Sequence, residues 1–297
     1  MSNPDFYHTT VLLNETVDGL DIKENGTYVD ATFGGGGHSR LILSKLGPEG
    51  RLIAFDQDED AWRNKPDDDR LIPVTENFKY LRRFLRLHGI NEVDGILADL
   101  GVSSFQFDTA ERGFSLRFDG PLDMRMDKRG ELTAADILRT YTEAQLHKLF
   151  EQYGEVRNSK QLAKHIADNR KAMKITTIAG LKAMLAPVMR GGNPNKYLAQ
   201  VFQALRIEVN DELGVLKDFL QQSAQSLKPG GRLSVISFHS LEDRIVKQYI
   251  KRGVWDDNEE SKLVLRPINN KPIEPTEQEL KANNRARSAR LRIAERL

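Results

Sequence analysis

Four consecutive glycines, Gly34 to Gly37, follow a short β-prone segment ending at Asp30 and precede a helix-compatible segment that starts at His38. This order predicts a strand, a tight turn and a helix. Glycine lets such a turn adopt positive φ angles and lets a ligand approach the main chain, while free N–H groups of the following helix point at the ligand. The turn is therefore a candidate nucleotide-binding loop, although glycine-rich turns also close ordinary loops.

Two further acids stand where apolar segments end. Asp56 follows the segment RLIAF and Asp99 follows VDGILA. In doubly wound α/β folds, an acid after the second strand accepts hydrogen bonds from a ribose diol. Burying an unpaired carboxylate costs several kcal/mol, so Asp99 is expected at the end of its strand, with partners supplied by a ligand or a loop.

Phe78 follows a third β-prone segment, LIPVT. Its ring could lie against an adenine face or close the hydrophobic core, and the sequence leaves both interpretations open. Ligands in open α/β sheets bind where parallel strands end. We therefore expect a doubly wound, mostly parallel sheet in which the glycine-rich turn, Asp56, Phe78 and Asp99 line one crevice.

The alternation of strands and helices stops after residue 106 and resumes at residue 196. We predict a core built from residues 1–106 and 196–297, with a helical insertion at 107–195. A short β-prone segment is expected near the start of the core, at residues 8–13.

In the resumed part of the core, one long helix is expected at 196–227. A turn at KPGG and a strand follow, and the strand ends just before His239. Ser240 is the expected N-cap of the next helix. A lone histidine such as His239 can contact substrate or serve packing, and the sequence leaves both roles open.

Charge is unevenly distributed, although the formal net charge is only +1. Residues 157–206 contain ten basic residues against one acid, and residues 281–297 contain six against one. Such clusters favour nucleic acid binding, because Lys and Arg contacts to phosphate supply most of the non-specific affinity. Solvated helix faces are the alternative explanation. The candidate RNA-binding residues are Lys160, Lys164, Lys171 and Arg206.

Composition restricts the class of protein. The 297 residues, 39% of them hydrophobic, suffice for a sizeable core. With no cysteine, neither disulfides nor thiolate metal sites are available, and we expect no metal. No apolar segment reaches the roughly 18 residues of a membrane span, and the polar start lacks the features of a signal peptide. The expected location is the cytoplasm, without membrane association.

The chain resembles the bacterial ribosomal RNA small subunit methyltransferase H family. The resemblance covers nearly the whole chain in order and rests on motifs that include DATFGGGGHS, DGILADLGVSS, DGPLDMRMD, FQALRIEVN, SFHSLEDRIVK and RARSARLRIAER. It implies a class I, Rossmann-like methyltransferase fold with S-adenosyl-L-methionine as methyl donor. It also implies that the substrate is 16S rRNA or the small ribosomal subunit, methylated on the 4-amino group of a cytidine in the decoding region.

The resemblance also implies roles for individual residues. Contacts to the cofactor fall on Gly36, Gly37, His38, Asp56, Phe78, Asp99 and Gln106. Phe105 stands where the family usually has proline after GVSS, a departure that affects the loop leading to Gln106. Independently of the resemblance, Asp99, His239 and Ser240 are candidates for the reacting centre, because they stand where two strands end at the same crevice. The basic charge of the insertion makes it the candidate for RNA recognition. The sequence leaves open whether the helical insertion docks a second copy of the chain to form a homodimer.

Two other classes of protein stay open. A dinucleotide-dependent oxidoreductase would share the glycine-rich turn and Asp56, but Ser39 occupies the last glycine position of its fingerprint. A non-catalytic RNA-binding or ribosome-assembly protein would use the basic segments and leave the crevice empty.

Overall fold

The computed structural model describes residues 10–189, 193–255 and 260–297. Within these ranges, seven strands form one sheet in the order β3-β2-β1-β4-β5-β7-β6. The first five strands run parallel, and β7 runs antiparallel to both of its neighbours. The strands are β1 (Thr27–Asp30), β2 (Arg51–Phe55), β3 (Leu71–Val74), β4 (Val93–Asp99), β5 (Leu227–Ser237), β6 (Leu265–Pro267) and β7 (Arg290–Arg296).

The helices of the described ranges alternate with the strands at both ends of the chain and follow one another in its middle. They are α1 (Leu13–Asp18), α2 (Gly37–Lys45), α3 (Leu81–Leu87), α4 (Ser104–Asp108), α5 (Ala134–Thr140), α6 (Glu143–Gln152), α7 (Ser159–Asn169), α8 (Ile178–Leu185), α9 (Pro194–Asn210), α10 (Glu212–Ser226), α11 (Ser240–Arg252) and α12 (Glu277–Ala282).

Helices cover the sheet on both faces. Successive side chains of a strand point to opposite faces, so Tyr28 and Val29 of β1 enter different hydrophobic clusters. The cluster around Tyr28 includes Ile42 from α2, and the cluster around Val29 includes Leu81 from α3 and Phe219 from α10. Burial on both faces explains why the central strands are almost continuously apolar, and it confirms the predicted doubly wound α/β class.

The chain divides into two compact units. The core unit combines the described residues up to Gly101 with those from Leu213, and the helical unit spans Val102–Glu212. The helical unit extends beyond the expected 107–195, because α9 packs in the same hydrophobic cluster as α5 and α6. Phe150 and Val201 are fully buried members of that cluster.

Left-handed residues account for two wrong predictions of secondary structure. The segment at 8–13 is not a strand where it is described: Leu12 has φ 47° and α1 begins at Leu13, while His8 itself lies outside the described residues. The predicted helix at 196–227 is two helices, separated at Asp211, where φ is 48°. Neither left-handed position is a glycine, so the sequence carried no signal for a break.

The predicted KPGG turn lies within β5. Val93 pairs with Leu227 and Gly95 pairs with Arg232, so the four residues between the two pairs on β5 bulge out of the ladder. Gly230, with φ 79°, makes this irregularity possible. No helix of the described residues is both long and apolar enough to cross a membrane.

Candidate active site

The glycine-rich turn has a conformation that requires glycine at two of its positions. Gly36 has φ 76°, and a Cβ there would lie 2.8 Å from the ring of Phe33. At Gly37 a Cβ would lie 1.9 Å from Oγ1 of Thr10. Because α2 begins at Gly37, the N–H groups of its first turn have no acceptor within the helix and can bind an anionic group of a ligand.

Asp56, directly after β2, holds this turn. Its Oδ2 accepts a hydrogen bond from the Gly34 N–H (2.8 Å), and its Oδ1 accepts from the Asp58 N–H (2.9 Å). Burial raises the pKa of Asp56 to about 7, against the lowering effect of these two hydrogen bonds. Each carboxylate oxygen has a second lone pair, so the group can still accept from a ribose hydroxyl.

Asp30, at the end of β1, is fully buried under the turn. It accepts hydrogen bonds from the Ser39 hydroxyl (2.6 Å) and the Thr32 N–H (3.1 Å), and burial raises its pKa to about 6. Sequence reasoning treated Asp30 only as the end of a strand. An acid immediately before a glycine-rich turn was the available signal for this supporting role.

Asp99 is the last residue of β4, and one oxygen of its carboxyl group lacks a hydrogen-bond partner among the described residues. Its N–H donates to Oγ1 of Thr32 at 2.7 Å, whereas its carboxylate Oδ1 is buried and has no hydrogen-bond partner among the described residues. Burial, followed by the negative charges of Asp30 and Glu242, raises the pKa of Asp99 well above its ordinary value. An orphaned buried carboxyl oxygen at this position fits a ligand that donates a hydrogen bond.

His38 contributes its main chain to the first turn of α2, while its side chain is buried. Nε2 lies 3.2 Å from the carbonyl oxygen of Val11, and Nδ1 lies 3.9 Å from Oδ2 of Asp99. Burial lowers the pKa of His38 to about 4, so the ring is neutral at pH 7. The geometry assigns the ring proton to Nε2, since among the described residues only that nitrogen faces a hydrogen-bond acceptor at bonding distance.

His239 follows β5 and serves as the N-cap of α11, a position that the sequence analysis assigned wrongly to Ser240. Its Nδ1 accepts from the Glu242 N–H at 3.4 Å, and Oε2 of Glu242 accepts from the His239 N–H at 3.3 Å. Nε2 lies 3.2 Å from Oε1 of Glu242 without the alignment of a hydrogen bond. Ser240 is exposed in the first turn of the helix. The role of either residue in the reaction stays a prediction.

The structure is consistent with both roles considered for Phe78, closing the hydrophobic core and offering a ring face to an adenine. Its ring packs edge-on against Phe219, with centroids 5.1 Å apart, yet the residue is only half-buried. One part of the ring therefore completes the core and another part is accessible.

The remaining predicted residues belong to the helical unit. Gln106 is buried there, and its side-chain oxygen accepts from the Ser103 N–H (3.1 Å) in the capping box of α4. Arg206 forms an ion pair with Glu212 at 2.7 Å and is largely buried, which makes it a poor candidate for contact with RNA. The predicted lysines are exposed, and only Lys164 forms a described ion pair, with Asp168 at 3.0 Å.

Known proteins of similar sequence identify the family. Residues 5–297 match the model of the MraW methylase family. The chain belongs to the MraW methylase family. Its family relatives include a protein of Flavobacterium psychrophilum, 54% identical over 96% of this chain and 100% of its own length. Others are proteins of Christiangramia forsetii (53% identical, 98% of each chain) and Bacteroides thetaiotaomicron (54% identical, 98% of this chain and 97% of its own). All three are named ribosomal RNA small subunit methyltransferase H.

Membership in a methylase family agrees with the sheet. The seven-stranded order, with an antiparallel β7 inserted between β5 and β6, is that of the class I methyltransferase fold. The family resemblance drawn from the sequence motifs is thereby confirmed.

Proposed function

We propose that the protein is an S-adenosyl-L-methionine-dependent methyltransferase that acts on the 4-amino group of a cytidine in 16S rRNA of the small ribosomal subunit. The observation that carries this proposal is the unsatisfied Oδ1 of Asp99, at the sheet edge that also holds the glycine-rich turn and Asp56. The family relatives supply the substrate class, since their names specify ribosomal RNA of the small subunit.

The residues at this edge of the sheet suit the ribose, the adenine and the carboxylate of the cofactor. Asp56 would accept hydrogen bonds from the ribose hydroxyls, the accessible part of Phe78 would pack against the adenine, and the first turn of α2 would offer N–H groups to the carboxylate. When bound, S-adenosylmethionine supplies an electrophilic methyl group. Gly36 and Gly37 let Phe33 and Thr10 pack against the turn, whereas at Gly35 a Cβ would meet no atom within 4 Å, so the main chain is open to a ligand there.

Methyl transfer requires that the protein align the amino nitrogen with the methyl group and place a hydrogen-bond acceptor beside the amino group. The 4-amino group of cytosine is a poor nucleophile because its lone pair is delocalised into the ring. An acceptor on an amino hydrogen restores electron density to the nitrogen, and correct positioning removes much of the entropic barrier. Asp99 is proposed as that acceptor. Since its pKa is raised, the ionised form that accepts becomes more populated as pH rises.

Single-turnover methylation separates a role in the reaction from a role in holding the cofactor. Purified wild-type protein and the variants Asp99→Ala and Asp99→Asn are mixed with saturating radiolabelled S-adenosylmethionine and small subunits. A loss of rate that persists at saturation supports Asp99 as acceptor, whereas rescue by saturation restricts it to cofactor binding. Absence of methyl transfer to rRNA by the wild-type protein contradicts the proposed function. Calorimetric binding of NAD instead of S-adenosylmethionine would favour an oxidoreductase.

The helical unit is proposed to bind RNA through the exposed lysines Lys160, Lys164 and Lys171. Reversing all three charges should weaken binding of rRNA and reduce its dependence on salt, with unchanged affinity for S-adenosylmethionine. A triple Lys→Arg variant keeps the charge and serves as the matched control. An unchanged salt slope in the reversed variant would identify these lysines as a merely solvated face.

A further inference from the structure

A second basic feature lies in the core unit, in the segment Asn284–Ser288, which we call the arginine-rich turn. Ala286 within it and Ala289 after it are buried, whereas Arg287 is exposed. Asn283 caps the turn: its side chain accepts from the Arg285 N–H at 3.1 Å and its carbonyl accepts from the Ala286 N–H at 3.1 Å. Burial and capping together fix which side chains face solvent.

Sheet topology places this turn at the edge where Asp99 lies. β7 runs antiparallel to β5, and its first residue, Arg290, pairs with Ser237. Asp99 pairs with Ile236, the residue before Ser237. The segment leading into β7 therefore lies about two strand spacings from the end of β4, or about 10 Å in the plane of the sheet.

Tertiary contacts fix the arginine-rich turn to the cofactor side of the core. Ala286 packs in one hydrophobic cluster with Val11 and Leu12. The Leu12 N–H donates to Oε1 of Glu279 in α12 at 2.8 Å, and the Val11 carbonyl contacts the ring of His38. The same short segment thus contacts both α2 and the C-terminal part of the chain.

Described contacts divide five of the six basic residues of the C-terminal segment into two groups; the sixth, Arg285, has its N–H bound by the Asn283 side chain and belongs to neither. In β7, Arg290 and Arg292 pair with Asp243, and Arg296 donates to the Val264 carbonyl. These side chains serve the fold. Lys281 of α12 and Arg287, by contrast, are exposed and have no ion-pair or hydrogen-bond partner among the described residues.

We propose that Lys281 and Arg287 form a phosphate-binding surface that holds the substrate RNA beside the reacting centre. This inference rests on the proposed function and adds a surface of the core unit to the lysines of the helical unit. Two exposed cations on packed backbone segments need little reordering to bind, and phosphate contacts near the target position the strand without reading its sequence.

The test compares a Lys281→Glu/Arg287→Glu double variant with two controls. One control is the charge-conserving Lys281→Arg/Arg287→Lys variant. The other is Arg51→Glu, a reversal at an exposed arginine at the start of β2, on the opposite edge of the sheet. Methylation kinetics with small-subunit rRNA, filter binding of the RNA at several salt concentrations and calorimetric binding of S-adenosylmethionine are measured for each.

The double reversal should raise the KM for RNA about tenfold and lower the salt slope of binding by about one for each cation. Affinity for S-adenosylmethionine should stay at the wild-type value, and both controls should behave as wild type. If the wild-type protein is active and the double variant keeps the wild-type KM and salt slope, Lys281 and Arg287 do not bind the RNA, and the proposed function is unaffected. Failure of the wild-type protein to methylate rRNA would overturn the proposed function. Filter binding of RNA by the wild type and the double variant would then show whether Lys281 and Arg287 bind phosphates.

Discussion

His38 and Asp99 face each other at 3.9 Å, between Nδ1 of the ring and Oδ2 of the carboxyl group. The ring is held from its other side by the Val11 carbonyl, 3.2 Å from Nε2. Burial shifts both groups towards neutrality, lowering the pKa of His38 and raising the pKa of Asp99. His38 therefore adds no positive charge that would lower the pKa of Asp99, and no ion pair with His38 competes with a ligand for this carboxyl group.

The lowered pKa of His38 predicts a pH dependence of stability. Between its ordinary value of 6.5 and about 4, the unfolded chain binds more protons at this residue than the folded protein does. The free energy of unfolding therefore rises with pH across this window. Acidification from pH 6.5 to about 4 removes roughly 3 kcal/mol of it through His38. His38→Gln keeps an N–H for the Val11 carbonyl and removes the titration.

The measurement is the free energy of unfolding in urea at several pH values from 4 to 7.5. Raised pKa values at Asp30, Asp56 and Asp99 act in the opposite direction, because these acids bind protons more tightly in the folded protein. Only the difference between wild type and His38→Gln isolates the histidine. A difference that does not vary with pH would show that His38 is not the titrating group.

Asp56 predicts a pH dependence of cofactor binding. Its pKa of about 7 means that acidification below neutrality protonates the group that accepts from the ribose. Affinity for S-adenosylmethionine should therefore fall as pH drops from 8 to 6. Asp56→Asn should bind about one to two decades more weakly at pH 8, with a much flatter pH profile.

Calorimetry at pH 6, 7 and 8 tests this prediction. Asp69→Asn, at an exposed acid in the loop before β3, is the matched control and should follow the wild-type profile. Wild-type affinity in a folded Asp56→Asn protein would exclude the ribose contact.

Two neighbouring glycines should differ in their response to substitution by alanine. Gly36 has φ 76° and no room for a Cβ, so Gly36→Ala should destabilise the protein by about 1–3 kcal/mol and weaken cofactor binding. At Gly35 a Cβ would meet no atom within 4 Å, so Gly35→Ala should be nearly neutral. Thermal unfolding and calorimetry on both variants check the contrast, and equal effects would contradict the conformation of the turn.

The sequence predicted those parts of the site that depend on strand order alone. Asp56 and Asp99 could be placed because parallel strands end at one edge, whichever residues surround them. Support from Asp30 and Thr32 was missed because it depends on hydrogen bonds between residues from different elements. The left-handed backbone of Leu12 was likewise invisible, since it is maintained by Glu279, which lies 267 positions away in sequence.

The role of the His239 side chain also could not be predicted from the sequence. The sequence suggested a catalytic candidate beside a serine cap, whereas the structure uses the imidazole itself as the cap of α11. Loss of an N-cap costs about 1 kcal/mol, so His239→Ala should lower stability by that amount. We also expect a loss of methylation on the order of tenfold, because His239 follows β5 at the edge of the sheet where the neighbouring β4 ends at Asp99.

His239→Asn separates the two roles, since asparagine is among the best N-cap residues but lacks a group at the position of Nε2. Its thermal midpoint should return towards that of wild type, while single-turnover methylation of small-subunit rRNA should stay as low as in His239→Ala. Should methylation recover together with stability, His239 acts only through the helix, and Asp99 is then the one supported residue of the reacting centre.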